Sequence, residues 1–219
     1  MRKAGWGIAS FLLLVAAAPA WAAQPTSFEQ VISRINQRET QFAQSMRNYS
    51  PMVETYIQDM KPDAELGEVP SGDTYFLGRL DLSHGVTTTT SFVPDHSGWF
   101  HRLFGSLTAM KYNAAGFAVV SPDDNELDSA HYDFTFVRRE FLGDVRCLVF
   151  DVVPKQSKGQ GRFLGRLWVE DQDYNIVRFN GTFTPWPRFA YYFHFDSWRL
   201  NMGPNLWLPA YSFAEESDV

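Results

Sequence analysis

The stretch that decides the fold runs from Arg162 to Phe213 and holds four aromatic-rich segments: RFLGRLWVE (162–170), IVRFNGTF (176–183), FAYYFHF (189–195) and LWLPAYSF (206–213). In the first, Phe163, Gly165, Leu167 and Val169 share a side; in the second, Val177, Phe179, Gly181 and Phe183 do. The pattern returns as Phe189, Tyr191, Phe193 and Phe195, then as Trp207, Tyr211 and Phe213. A period of two is the signature of strands that turn one face away from water. The four segments therefore predict an antiparallel meander with one apolar face. Asp171–Asn175 and Met202–Asn205 supply turn residues between strands. Gly165 and Gly181 sit in strand interiors, where glycine marks a bend or the close approach of another backbone.

Upstream, His131–Phe141 and Val145–Val153 read as two strands joined at Gly143-Asp144, a hairpin dipeptide, and the polar stretch Lys155–Gly161 reads as a loop. Ser27–Arg47 is the clear helix, with Phe28, Val31, Ile32, Ile35 and Phe42 on one side and Glu29, Gln30, Arg34, Gln37, Arg38 and Gln41 on the other. Thr26 and Glu29 have the spacing of a capping box. Met52–Met60 and Thr74–Leu82 are expected as strands around a loop at Lys61–Gly72. Gly85–Val93, with four threonines at 87–90, fits an exposed strand or a loop. Trp99, Phe100, Leu103, Phe104 and Leu107 recur at helical spacing and predict a short second helix, followed by a short strand at Phe117–Val120 and turn chemistry at Ser121–Asn125. About nine strands and two helices without βαβ alternation or internal repeat give an α+β class, mainly antiparallel β. The expected form is a curled sheet with a helix in its mouth.

Residues 1–22 have the plan of a secretory signal: basic Arg2 and Lys3, an apolar run from Ile8 to Ala18, and a small-x-small site at Ala20-Trp21-Ala22. The apolar run is shorter than the roughly 20 residues that span a bilayer, so cleavage near Ala22 without stable membrane insertion is expected. Residues 23–219 then form one domain. Cys147 is the only cysteine, so no internal disulfide is available, and 16% aromatic residues point to an aromatic-packed β core. A net charge of −6 argues against nucleic acid as a partner.

No catalytic set emerges. Among five histidines, Asp95-His96 and His101 offer metal-ligating chemistry, but no HExxH or histidine pair at helical spacing accompanies them. There is no G-x-S-x-G elbow, and Cys147 lies mid-strand, where a small core residue is the simpler reading. Glu170, Asp171 and Asp173 would suit acid/base work, yet they occupy a hairpin turn, where carboxylates bond the local backbone. Gly159-Gln160-Gly161 lacks the rest of a phosphate loop, and Asn48-Tyr49-Ser50 and Asn180-Gly181-Thr182 match the glycosylation acceptor pattern. The expectation is a non-enzyme with no metal and no cofactor.

Leu142-Gly143-Asp144-Val145-Arg146-Cys147, Val152-Val153-Pro154-Lys155, Gly165-Arg166-Leu167-Trp168-Val169-Glu170 with Ile176-Val177-Arg178, and Asn205-Leu206-Trp207-Leu208-Pro209 together resemble the bacterial outer-membrane lipoprotein-sorting (LolA-like) superfamily. The resemblance covers mainly residues 130–213, with the signal segment and the following helix agreeing in order, and the long segment from Pro51 to Asp128 is not matched position by position. It implies a curved, incomplete β-barrel, or half-barrel, whose concave apolar face is covered by helices and receives a lipid acyl chain or a lipidated polypeptide in the periplasm. The ending at Glu215–Val219, soon after a strand where such sheets often continue, suggests a truncated product.

The expected function is a periplasmic carrier or sensor of lipid or lipoprotein. Leu167, Phe179, Phe183, Tyr191, Phe193 and Phe195 would line the pocket and the first helix would act as lid. Each buried methylene would contribute about 0.8 kcal/mol. Two alternatives stand beside it. One is a cell-envelope structural or interaction module whose sheet is fully packed and whose partner is a protein. The other is an exported hydrolase built on His96, His101 and nearby carboxylates.

Overall fold

The computed structural model describes residues 27–83, 87–91, 120–123, 126–155, 162–184, 192–203 and 206–217. The signal segment, the expected second helix, His96, His101 and Tyr191 lie outside the described residues. Helix α1 (Phe28–Met46) is followed by β1 (Met52–Asp63), β2 (Gly67–Asp81), β3 (Thr87–Ser91), β4 (Tyr132–Leu142), β5 (Val145–Pro154), β6 (Arg162–Glu170), β7 (Ile176–Thr184), β8 (Tyr192–Gly203) and β9 (Leu206–Ser217). The strands form two antiparallel sheets, β1-β2-β3 and β4-β5-β6-β7-β8-β9, each in chain order. The larger sheet is a meander, because each turn is too short for anything but an antiparallel return. It is not closed: β4 and β9 are its outer strands.

Helix α1 begins one residue later than the capping-box pattern implies. Ser27, extended at φ −130°, accepts from the Gln30 amide at 3.3 Å. Glu29 accepts a hydrogen bond from the Ser129 hydroxyl at 2.7 Å, fastening the first turn to the segment before β4. The expected loop at Lys61–Gly72 is also corrected. Pairing between β1 and β2 continues past a bulge at Asp59/Met60 to Asp63↔Gly67, around a turn that Asp63 caps by accepting from the Glu65 and Leu66 amides. Proline and glycine there break the hydrophobic period without breaking the ladder, as edge strands allow.

Among the described residues, three apolar clusters hold the fold together. The principal core lies between α1 and one face of the large sheet and includes Ile35, Leu127, Tyr132, Phe150, Phe163, Leu167, Ile176, Phe179, Phe193 and Phe195. A second joins Met46, Val53, Leu80 and Leu82, with Phe42 and Leu208 against it, so the end of α1, the small sheet and β9 share one apolar joint. The third, on the opposite face of the large sheet, holds Cys147, Val149, Trp168 and Val177.

The third cluster corrects two of the face assignments. A bulge between Trp168 and Val169 pairs Val169 with Ile176, so Ile176 enters the principal core and Val177 turns to the other side. In β9 the inward position opposite Phe195 is Ala214, whereas Trp207 packs with the outer cluster and Tyr211 and Phe213 are exposed. In β9 the apolar face is thus continued by Ala214 and not by Trp207, Tyr211 and Phe213.

Gly165 and Gly181 face each other across β6 and β7. A Cβ on Gly165 would come within 2.6 Å of the Gly181 Cα and 2.8 Å of Phe163 Cζ. The ring of Phe163 occupies the space that side chains would otherwise claim. It also meets Phe179 and Phe183 edge-on at 5.8 and 5.9 Å. Gly181→Ala is expected to destabilise the fold by roughly 1–3 kcal/mol, the usual range for overpacking a closed core. Urea denaturation of the two proteins measures it, and an unchanged midpoint would contradict this account.

Candidate functional site

The site most open to function is the interface where α1 covers the aromatic face of the large sheet. Phe193, Phe195, Ser197 and Arg199 alternate along β8, and all four are buried on the inward side. Helix α1 presents Ile32, Ile35, Glu39 and Met46 toward the interior. The two inward charges meet. Arg199 donates from Nη1 to Glu39 Oε2 at 2.7 Å and from Nη2 to Oε1 at 2.6 Å, with side chains only 3% and 1% exposed. The Ser121 hydroxyl also donates to Glu39 Oε1, and the guanidinium carbon sits 3.8 Å from the centre of the Phe42 ring.

This pair holds the helix in one position and register. A bidentate Arg–carboxylate contact has narrow geometry, and either charge left alone in this interior would be strongly penalised. Arg199 Nε is buried with no hydrogen-bond partner among the described residues, so the guanidinium is satisfied at its two ends only. A second clamp lies at the surface: Arg38 donates to the Asp173 backbone carbonyl at 2.9 Å and to its carboxylate at 3.1 Å. Reading the stripe from its apolar members alone passes over Glu39, although the signal is in the sequence. Glu39 falls in the apolar stripe, four residues after Ile35 and three before Phe42. A lone charge in such a stripe calls for a buried partner.

Of the residues expected to line a pocket, Leu167, Phe179, Phe193 and Phe195 come together in the principal core and Phe183 packs against it. Phe183 meets Phe195 edge-on at 5.5 Å. In this state their rings contact one another and the underside of α1. A cleft of ≈ 190 Å³ opens beside the interface, lined by Arg38, Gln41, Phe42, Ser45, Ile176 and Trp207 among others. It is smaller than the roughly 300–1,000 Å³ of typical ligand pockets.

The carboxylates weighed for acid/base chemistry have structural partners. Glu170 accepts from the amides of Gln172, Asp173 and Asn175 and from the Asn175 side chain, all between 2.8 and 3.0 Å. It is the internal cap of a turn in which Tyr174 adopts φ +67°. Asp171 pairs with Arg146 and Asp173 with Arg38. His194 contacts the Asn180 side-chain oxygen at 3.1 Å, and Asp196 forms a two-point pair with Arg178, both on the more polar side of β8. Cys147 is buried, and burial pushes its thiol up to about 11, the wrong direction for a nucleophile. Among the described residues no group of three or more potential ligands could hold a metal ion, and no helix is long and apolar enough to cross a membrane.

The outer face carries its own charged ladder. The Arg178 guanidinium lies between the rings of Trp168 and Trp198, at 4.4 and 4.2 Å. Glu140 accepts from Arg138 Nε at 2.6 Å and from the Trp168 indole. These bonds, Arg138 first, hold its carboxyl below its ordinary value near 4.5.

No protein-family model, curated protein or solved structure matches this chain.

Two outcomes follow. Glu39→Ala, which strands Arg199, is expected to cost about 3–5 kcal/mol, whereas Glu39→Leu with Arg199→Met is expected to recover most of that loss. Chemical denaturation of the three proteins tests this, and a double variant no better than the single would show that the pair itself supplies net stability. Because the folded Glu140 carboxyl is depressed, its contribution is complete above its ordinary value near 4.5 and fades as pH falls through the lower folded value. Glu140→Gln should therefore flatten the acid limb of a stability–pH curve, and an unaltered limb would count against the assignment.

Proposed function

We propose that this chain is an exported, non-catalytic carrier that shelters an acyl chain, of the LolA-like kind that its sequence resembles. In this reading the signal segment directs it to the periplasm, the six-stranded sheet is an incomplete barrel, and α1 is its removable cover. The observation that carries the reading is the buried Glu39–Arg199 pair set into an otherwise apolar helix–sheet interface. An apolar joint of the same size would serve a permanent core as well or better, since replacing a buried ion pair with hydrophobic groups is often neutral or stabilising. A directional polar latch suits a cover that must return to one closed position. Behind it, Leu167, Phe179, Phe183, Phe193 and Phe195 offer a continuous apolar floor once the helix lifts, with the gain of about 0.8 kcal/mol per buried methylene available to hold it open.

A second reading, a cell-envelope interaction module with a permanently filled sheet, is favoured by the ring-on-ring packing of Phe163, Phe179, Phe183 and Phe195. The two readings separate cleanly by experiment. The carrier predicts saturable uptake of a fluorescent fatty-acid analogue by the purified protein, weakened at least severalfold by Phe183→Asn, and acyl lipid in organic extracts of natively purified material. Absence of both uptake and extracted lipid would leave the filled module as the function.

A further inference from the structure

The β1–β2 hairpin is an arm. At its base Val53 and Leu80 join the second core, but β3 pairs with β2 only between Gly78 and Asp81. Beyond that point β1 and β2 pair only with each other among the described strands, over strands of about 3.3 Å per residue. A two-stranded ribbon is marginal alone in water and needs a third strand or a packed face. This one instead leaves Tyr56 59%, Tyr75 43% and Leu66 76% exposed.

The exposed face has a definite chemistry. Tyr56 and Tyr75 are direct cross-strand partners. The Tyr56 hydroxyl donates to Asp73 at 3.2 Å, and desolvation, then the Glu54 carboxylate, hold the Tyr75 hydroxyl above its ordinary pKa. Two aromatic rings are thus bracketed by two carboxylates, the arrangement that receives a lysine or arginine side chain through cation–π and ionic contact together. The charge around it has the same sign. From Glu54 to Asp73 there are six acidic residues (Glu54, Asp59, Asp63, Glu65, Glu68, Asp73) against Lys61 alone, a net −5 within a chain of net −6. The backbone adds a further feature, since β1 is the outermost strand of its sheet. The bulge at Asp59/Met60 and the Lys61-Pro62 dipeptide blunt its distal part, leaving the regular segment from Met52 to Asp59 able to accept another strand.

We propose that the β1–β2 arm is a docking surface for a basic extended segment of a partner protein, which adds as a strand to the open edge of β1 and sets its cationic side chains over Tyr56 and Tyr75 between Glu54 and Asp73. Main-chain bonds along the edge supply affinity and the Tyr–carboxylate face supplies the preference for positive charge. The inference is independent of acyl-chain carriage, since the arm lies apart from the face beneath α1.

The test uses the full chain and two synthetic labelled peptides, one alternating arginine and valine and one alternating glutamate and valine. Fluorescence anisotropy is expected to show binding of the arginine peptide that weakens with added salt. Affinity should fall about tenfold or more in Tyr56→Ser/Tyr75→Ser and in Glu54→Gln/Asp73→Asn, with far-UV circular dichroism unchanged. Hydrogen exchange on the unaltered protein gives a reading that needs no variant: the arginine peptide should protect amides of β1 between Met52 and Asp59. Equal binding by both peptides, affinity indifferent to the arm variants, or no protection of β1 would overturn the proposal. Sedimentation showing a dimer that the tyrosine variants abolish would also overturn it, by making a second copy the occupant.

Discussion

The pair between Glu39 and Arg199 ties the helix to the sheet at a point where neither could be displaced without stranding a charge in the interior. Hydrophobic burial is non-directional, so the stripe of Ile32, Ile35 and Met46 could slide along an aromatic floor with modest loss. A two-point guanidinium–carboxylate contact cannot. It sets the axial position of α1, and with it the place of Ser121, which donates to the same carboxylate, and of Phe42, which lies under the guanidinium. The apolar joint formed by Met46, Val53, Leu80 and Leu208 is then reached from the end of a helix whose position is already set.

The two faces of the large sheet solve different problems. The inner face is a set of phenylalanines in edge-on contact, made possible by the glycine pair Gly165/Gly181, which lets the Phe163 ring lie over bare backbone. The outer face buries the smaller cluster of Cys147, Val149, Trp168 and Val177 and is also stabilised laterally. Val149, Trp168, Arg178, Trp198 and Tyr211 are successive cross-strand partners from β5 to β9, and the stacked guanidinium in their middle links three of those strands. Local hydrogen-bond logic also explains why the tempting carboxylates are not free for chemistry. Glu170 satisfies the amides of a turn whose shape forces Tyr174 into a left-handed conformation.

The period-two pattern made β6, β7, β8 and β9 legible because strand geometry writes directly into the side-chain alternation, and the Gly143-Asp144 turn marked the β4–β5 hairpin. Phase was less legible than existence. One bulge beside Val169 exchanged Ile176 for Val177, and in β9 the direct pairing of Phe195 with Ala214 leaves Phe213 and Tyr211 opposite Asp196 and Trp198 on the outer side. Bulges leave little trace in composition. In sequence the β1–β2 ribbon reads as two strands around a loop, because proline and glycine usually end a ladder. An edge ribbon tolerates them, since its outward groups face solvent.

By itself, the sequence determined the class of fold, the helix and its stripe, and the antiparallel order of the large sheet, because each follows from local period and turn chemistry. Only the tertiary structure decided that Glu39 and Arg199, 160 residues apart, share one buried site, that Leu167, Phe179, Phe193 and Phe195 pack in one core beneath the helix, and that β1 and β2 run on as one paired acidic ribbon to the turn at Asp63–Gly67. Long-range partnership depends on register and on which face each bulge leaves inward. Those are properties of the assembled sheet, and no short window of residues contains them.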